Sequence, residues 1–221
     1  MVQSDDFKRR AELPAEENAR IYGSFGFKSA WQFNHEPELS LVHCDEEQGT
    51  LCLETDTVCN SLLEARNTLT QRTLYPGCAG EVTVDVSKLK DGDYAGICAL
   101  QGCFGFVAVT KRNGQNYVVM RNKEAERPEM INYDAKEQER DAVLVKEEQL
   151  RLRVEVEFTD MKDTARFFYQ KGRDWQKIGP DHKLYFKLDH FTGCRFGLFL
   201  YSTEETGGRA GFQDFVYTEL E

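Results

Sequence analysis

Residues 151–158, RLRVEVEF, decide the fold class because aliphatic and charged side chains alternate there without a break. Successive side chains of a β-strand point to opposite faces, so this stretch predicts a strand with one face on a core and the other in water. Other short β-like runs, each bounded by turn residues, lie at 39–44, 50–55, 81–86, 104–111, 117–122, 165–170 and 195–201. Many short strands separated by turns predict an all-β fold, an antiparallel β-sandwich.

The composition favours a single domain with a neutral ligand or a protein partner. The chain has 221 residues, a length that sandwiches reach as one unit, and 40% of them are hydrophobic. A formal net charge of -10 repels nucleic acid and anionic membranes. No apolar run approaches the roughly 20 residues that span a bilayer, and residues 1–10 lack the apolar core of a signal peptide. We therefore expect a soluble domain without nucleic-acid or membrane partners.

The cysteines indicate a reducing environment. There are seven, an odd number, and none forms a C-x-x-C pair, which is typical of free thiols. Either the cytoplasm or secretion by an anaerobe, as part of a larger enzyme, would fit. The four histidines are not placed to complete a zinc site. We expect no required cofactor.

Residues 66–72, RNTLTQR, read as a strand that is polar on both faces. Planar donor and acceptor groups of Arg66, Asn67 and Gln71 suit the hydroxyls of a sugar. One interpretation is that this strand forms the floor of a polar binding groove. The other is a solvated sheet face crossed by threonine ladders.

Two tryptophans and two residues near a strand end are further candidates for the same site. Trp31 or Trp175 would stack on a sugar ring, with core packing and hairpin packing as the alternatives. Asn34 and His35 precede Pro37 at the end of a β-run, where loops carry function. A turn-stabilising role is the alternative for Asn34.

Strand 94–101 and the turn before it supply the remaining candidates for ligand binding. Asp93 lies in a D-G-D turn, where its carboxylate would accept sugar hydroxyls or stabilise the turn. Gln101 ends a run of small side chains, which leave room for a ligand or allow close sheet packing.

The N-terminal region contains acidic residues and one predicted helix. Asp6 and Asp214, with Asp5, would supply oxygen ligands for a structural calcium ion if the first and last strands pair. Pro14 and Gly23 predict a helix over 15–22. We therefore divide the chain into an N-terminal strand with an inserted loop or helix, 1–30, and a sandwich, 31–221.

Several motifs, in order along the chain, resemble one known family. They are 31–37 (WQFNHEP), 62–72 (LLEARNTLTQR), 91–96 (DGDYAG), 104–107 (FGFV), 190–199 (HFTGCRFGLF) and 210–215 (AGFQDF). The chain resembles the C-terminal β-sandwich module of family-43 glycoside hydrolases, the β-xylosidases and arabinofuranosidases, also classed as carbohydrate-binding module family 91. About twenty residues separate residues 5–7 from Trp31, where the family has only a few.

The resemblance implies a concanavalin A-like jelly roll and a partner, the family-43 catalytic domain. It also implies a module that binds β-linked plant polysaccharide of the xylan type through the candidate residues above. The alternative is a structural accessory domain that completes the catalytic pocket without binding glycan alone, with Leu62 and Leu63 facing the partner. Nothing in the chain resembles the family's catalytic propeller, so no catalytic residue is expected.

Overall fold

The computed structural model describes residues 2–8, 16–17, 27–124, 136–185 and 193–220. Their strands form two sheets in which every strand pairing is antiparallel. The seven-stranded sheet has the order β1 (Gln32–Phe33), β4 (Leu69–Arg72), β14 (Arg195–Ser202), β6 (Asp93–Leu100), β7 (Gly105–Arg112), β8 (Gln115–Asn122) and β9 (Gln138–Val145).

The eight-stranded sheet packs against it. Its order is β12 (Asp174–Lys177), β11 (Thr164–Lys171), β10 (Gln149–Glu157), β5 (Gly77–Asp85), β15 (Arg209–Leu220), β3 (Thr50–Glu54) and β2 (Val42–Asp45), with β13 (His182–Lys183) also paired to β11. Short 3-10 helices lie at Leu39–Leu41, Leu62–Glu64 and Thr159–Met161. Within the described ranges, no helix is long and apolar enough to cross a membrane.

The main core lies between the two sheets. In β10, Leu150, Leu152, Val154 and Val156 are buried in it, and the charged residues between them face outward. The prediction of a one-sided strand is therefore confirmed. The all-β sandwich is confirmed with it, because the predicted β-like runs overlap strands of these two sheets. The run 39–44 is a strand only from Val42 onward, since Leu39–Leu41 forms a 3-10 helix.

The seven-stranded sheet is covered on its outer face as well. Every residue of β6 and β14 is buried. A second cluster lies on the outer face and consists of Cys59, Leu62, Ala65, Tyr94, Cys98, Leu100, Phe104, Phe106, Ala108, Val119, Phe199 and Tyr201; we call it the outer aromatic cluster. A strand buried on both faces has no reason to alternate, which explains the weak pattern of residues 94–101.

The described N-terminal residues pack on the sandwich. Asp5 pairs with Phe215 of β15, and Phe7 and Phe27 lie in the main core beside Trp31. Of the predicted helix 15–22, Glu16 and Glu17 are helical, and the rest lies outside the described residues. All seven cysteines are free.

A buried histidine makes the stability of this fold depend on pH. His182 is fully buried between the amide of Asn122 and the carbonyl of Cys103, and burial lowers its pKa from 6.5 to about 4. Between these two pH values His182 is therefore protonated in the unfolded chain but neutral in the folded chain. Stability is lost as the pH falls through this window, and we expect His182 to account for about 2.5 kcal/mol of loss between pH 7 and pH 4.5.

Urea denaturation of the parent and of His182→Gln at both pH values measures the loss of unfolding free energy that His182 causes. The variant starts from a lower stability at pH 7 but should lose less on acidification. Asp5 and Asp93, whose pKa values burial raises, act in the opposite direction and are present in both proteins, so they cancel. Equal losses in the two proteins would show that His182 is not responsible.

Candidate functional site

Three amide side chains that were predicted to bind a glycan hold the chain's own backbone. Asn67 accepts from the N–H of Glu38 at 2.9 Å and donates to its carbonyl at 3.0 Å. Gln71 does the same with Gln3 at 3.1 and 3.0 Å. Gln101 does so with Tyr185 at 3.3 and 2.7 Å. We call these three contacts the amide clamps.

Because the clamp residues are buried, they do not line the polar groove that the sequence predicts. Asn67, Gln71 and Gln101 are at most 3% exposed. Gln71 lies opposite Phe196 in the strand register, and Phe196 belongs to the main core. Residues 67–71 are all buried, so this stretch is neither a groove floor nor a solvated face.

Four predicted residues do come together at one edge of the seven-stranded sheet. The backbone N–H of Asn34 donates to the carbonyl of Thr68 at 2.9 Å, and the ring of His35 lies 3.0 Å from the carbonyl of Leu63. Asn67 lies in the same loop as Leu63 and Thr68. Next to it Arg66 is exposed, and its guanidinium is 3.8 Å from the carboxylate of Asp56. These contacts hold loops together, and an exposed ion pair of this kind contributes little to stability.

The two tryptophans have different surroundings, one in the main core and one on the outer face of the eight-stranded sheet. Trp31 is only 5% exposed, packs on Phe7 and Phe215, and donates its indole N–H to Asp5 at 3.0 Å. It is a core residue rather than a stacking platform. Trp175 is half-buried on the eight-stranded sheet, with the guanidinium of Arg153 5.8 Å from its ring centre.

Asp93 is an internal residue rather than the edge of a groove. It is fully buried and accepts hydrogen bonds from the backbone N–H of Lys90 at 2.7 Å and from the hydroxyl of Ser202. Burial raises its pKa, and these hydrogen bonds oppose the rise. The contact with Lys90 fits the turn-stabilising interpretation, and the contact with Ser202 ties the turn to the neighbouring strand β14.

Two of the three acidic residues predicted to hold calcium, Asp5 and Asp6, accept hydrogen bonds from other groups. Asp5 accepts from the backbone N–H groups of Phe7 and Lys28 as well as from Trp31. Asp6 accepts from the N–H of Lys8 at 3.2 Å, and Asp214 is exposed with φ of 49°. In the part of the chain that the structure describes, no group of three or more His, Cys, Asp or Glu side chains could hold a metal ion. Calcium binding stays a prediction.

A buried ionic contact that sequence reasoning missed closes the outer aromatic cluster. The side chain of Glu137 is 4% exposed and accepts from Tyr201 at 2.8 Å, from Arg121 at 2.6 Å and from the backbone N–H of Leu62 at 3.3 Å. Leu62 itself is fully buried. Leu62, which the accessory alternative placed against a partner domain, is therefore enclosed within this chain, and Leu63 is half-buried.

One end of the sandwich carries an open pocket of about 530 Å³. We call it the end pocket; its lining residues are Arg72, Thr73, Tyr75, Gln101, Phe158, Asp163, Leu184, Tyr185, Gly193 and Cys194. It includes one predicted site residue, Gln101. Sequence reasoning missed Tyr75, which is 76% exposed at this pocket.

Two large antiparallel sheets packed face to face, with the predicted motifs on their strands, define a concanavalin A-like β-sandwich. A family model described as the beta xylosidase C-terminal concanavalin A-like domain matches residues 25–218. The chain belongs to this family.

Comparison with solved structures supports the same family. The bifunctional GH43-CE of Bacteroides eggerthii is 33% identical over 99% of this chain and 26% of its own length, with a TM-score of 0.84. A GH43 glycoside hydrolase engineered to display endo-xylanase and exo-arabinofuranosidase activity is 25% identical over 99% of this chain and 41% of its own, with a TM-score of 0.83. A comparison with curated protein sequences found no match. The chain thus spans about a quarter to two fifths of the length of these two enzymes.

Proposed function

We propose that this chain is a non-catalytic accessory domain that works beside a family-43 glycoside hydrolase domain. The observation that carries the proposal is the set of amide clamps. In each clamp a buried side-chain amide donates one hydrogen bond to the chain's own backbone and accepts one from it. These groups are therefore not available to a sugar. The polysaccharide site predicted on this sheet thereby loses its hydrogen-bonding groups, which favours the hypothesis of an accessory domain.

The end pocket is the surface we assign to the catalytic partner. Tyr75 is the only aromatic residue among the large exposed hydrophobic side chains of the described ranges. It stands beside the apolar groups of Phe158 and Leu184 and the polar groups of Arg72 and Asp163. An aromatic anchor surrounded by apolar and polar groups is typical of the centre of a protein interface.

The substrate of the whole enzyme would be a xylan-type glycan. This part of the proposal is supported by the endo-xylanase and exo-arabinofuranosidase activities of the relative that is 25% identical. The catalytic carboxylates would come from the partner domain, and this chain would contribute one wall of the site.

A domain exchange tests the proposal. In the GH43-CE of Bacteroides eggerthii, the region that matches this chain is deleted or replaced by this chain, and hydrolysis of aryl β-xylosides and aryl α-arabinofuranosides is measured. We expect deletion to abolish activity on the glycoside that the parent cleaves, and the exchange to restore a substantial fraction of it. Tyr75→Ala in the exchanged domain should lower this restored activity about three- to tenfold, as expected for loss of an interface anchor.

Leu144→Ala is the matched control because Leu144 is also an exposed apolar residue, 52% accessible, but lies on the edge strand β9 away from the end pocket. It should leave the restored activity unchanged. Full activity of the deletion form, or an exchanged protein that is folded by circular dichroism but inactive, would overturn the proposal.

A further inference from the structure

A polar channel crosses the outer face of the eight-stranded sheet, away from the end pocket. Strand register places five residues in one row across β2, β3, β15, β5 and β10. They are His43, Cys52, Gly211, Asp85 and Gln149. Their sequence neighbours Leu51, Leu53, Val84, Leu150 and Phe212 are buried in the main core, so the row itself faces outward.

Small residues form the floor of the channel. Gly211 has no side chain, and Cys52 beside it is half-buried. A Cβ atom at Gly211 would lie 3.0 Å from Thr50 Cγ2 and 3.4 Å from Asp85 Cβ, so these flanking side chains stand close on either side of it. The resulting channel has a volume of about 430 Å³. Ligand sites of small molecules begin at about 300 Å³.

The walls are built of hydrogen-bonding side chains. On one side Glu54 and Arg209 form an ion pair at 2.9 Å, and on the other Gln213 donates to Thr50 at 2.7 Å. These contacts fix the side chains but leave some of their donors and acceptors unused. For instance, Arg209 has five N–H donors.

At one end of the row Asp85 and Gln149 offer further hydrogen-bonding capacity. The carboxylate of Asp85 accepts from Ser87 and, at 3.3 Å, from the amide of Gln149. A carboxylate has about four acceptor sites, and the Gln149 amide keeps a second N–H and its carbonyl. Gln149 is exposed and ready to exchange this long contact for a ligand.

The charges of the channel favour a neutral ligand. The carboxylates of Asp45, Glu54 and Asp85 stand against the cations of Lys88 and Arg209. Burial also raises the pKa of Cys52, which keeps its thiol uncharged. The excess of one carboxylate disfavours an anion, and Glu54 is already paired with Arg209. The hydroxyls of a sugar both donate and accept hydrogen bonds, so they suit a lining that offers both kinds of group.

We propose that this channel is a glycan-binding site that takes a neutral oligosaccharide chain laid across the strands over Gly211. The channel lies on the opposite sheet from the amide clamps at Asn67, Gln71 and Gln101. It shares no residue with the end pocket. The same domain therefore contacts a catalytic partner at its end and a polysaccharide on its outer face, and the glycan site does not depend on the proposed accessory function.

Chemical shift perturbation of the whole chain tests this site. Backbone amide signals are followed by ¹⁵N NMR while xylohexaose or cellohexaose is added to millimolar concentrations. We expect shifts centred on Cys52, Asp85, Gln149 and Gly211 with at least one of the two sugars. Gln149→Ala should weaken this binding about five- to tenfold, the effect of losing one or two net hydrogen bonds.

Two more variants make the result decisive. Gly211→Ala raises the floor of the channel and should also weaken binding, whereas Gln176→Ala removes an exposed amide from the far edge strand β12 and should not. Shifts centred on the end pocket, or no shifts with either sugar in folded protein, would overturn the channel site. Neither outcome would bear on the domain exchange, so the two proposals fail separately.

Discussion

Trp31→Ala should lower the free energy of unfolding by about 3–5 kcal/mol, the usual cost of removing a large buried aromatic side chain. Trp31 is 5% exposed and packs 4.7 Å from the ring centre of Phe215 and 6.1 Å from that of Phe7. The substitution leaves a cavity and also removes the indole donor from the buried carboxylate of Asp5. Urea denaturation at pH 7 measures the change.

Trp175→Ala is the matched control for the same residue type. Trp175 is half-buried on the outer face of the eight-stranded sheet, and its ring meets the guanidinium of Arg153. Losing this contact should cost only about 1 kcal/mol. If Trp31→Ala proved as stable as the parent, the assignment of Trp31 to the core would fail, and its interpretation as a sugar-stacking residue would return.

Gly96→Ala should lower the free energy of unfolding by more than about 4 kcal/mol or prevent folding. Gly96 lies in β6, and a Cβ atom there would stand 2.2 Å from the carbonyl oxygen of Val107 and 2.6 Å from the Cα of Ala108. Both atoms belong to the backbone of the neighbouring strand β7. Neither atom can move without breaking the register of two central strands.

Gly197→Ala separates this backbone clash from a general effect of filling space. Its Cβ atom would meet the sulfur of Cys98 at 2.8 Å, and that side chain can rotate away. We expect a loss of about 1–3 kcal/mol, typical of overpacking. Thermal denaturation and the yield of soluble protein rank the two variants. A Gly96→Ala protein within 1 kcal/mol of the parent would show that β6 and β7 separate easily.

The strands were predictable because their signals are local. The alternation of residues 151–158 needs no information beyond eight consecutive residues, and the structure places β10 there at 149–157. The family motifs also lie within short stretches. Residues 94–101 were harder to interpret because both faces of that strand are covered, which erases the alternation.

The candidate site was not predictable to the same extent, because the partner of each polar side chain is distant in sequence. Asn67 meets Glu38, Gln71 meets Gln3, and Gln101 meets Tyr185. Nothing near Gln71 in the sequence distinguishes an amide that waits for a sugar from one that holds a backbone segment 68 residues away. The channel on the other sheet was missed for the same reason, since its row of five residues comes from five strands.

The amide clamps also bear on how this fold tolerates change in length. A paired strand fixes a register, so an insertion within it displaces every following side chain to the wrong face. A clamp fixes one residue only, so a change of length in a loop beyond the clamped residue need not alter the alignment of the sheet. Each clamp therefore holds its loop at a single residue. Relatives with longer or shorter loops between the clamped residues can keep the strand pairing of the same sandwich.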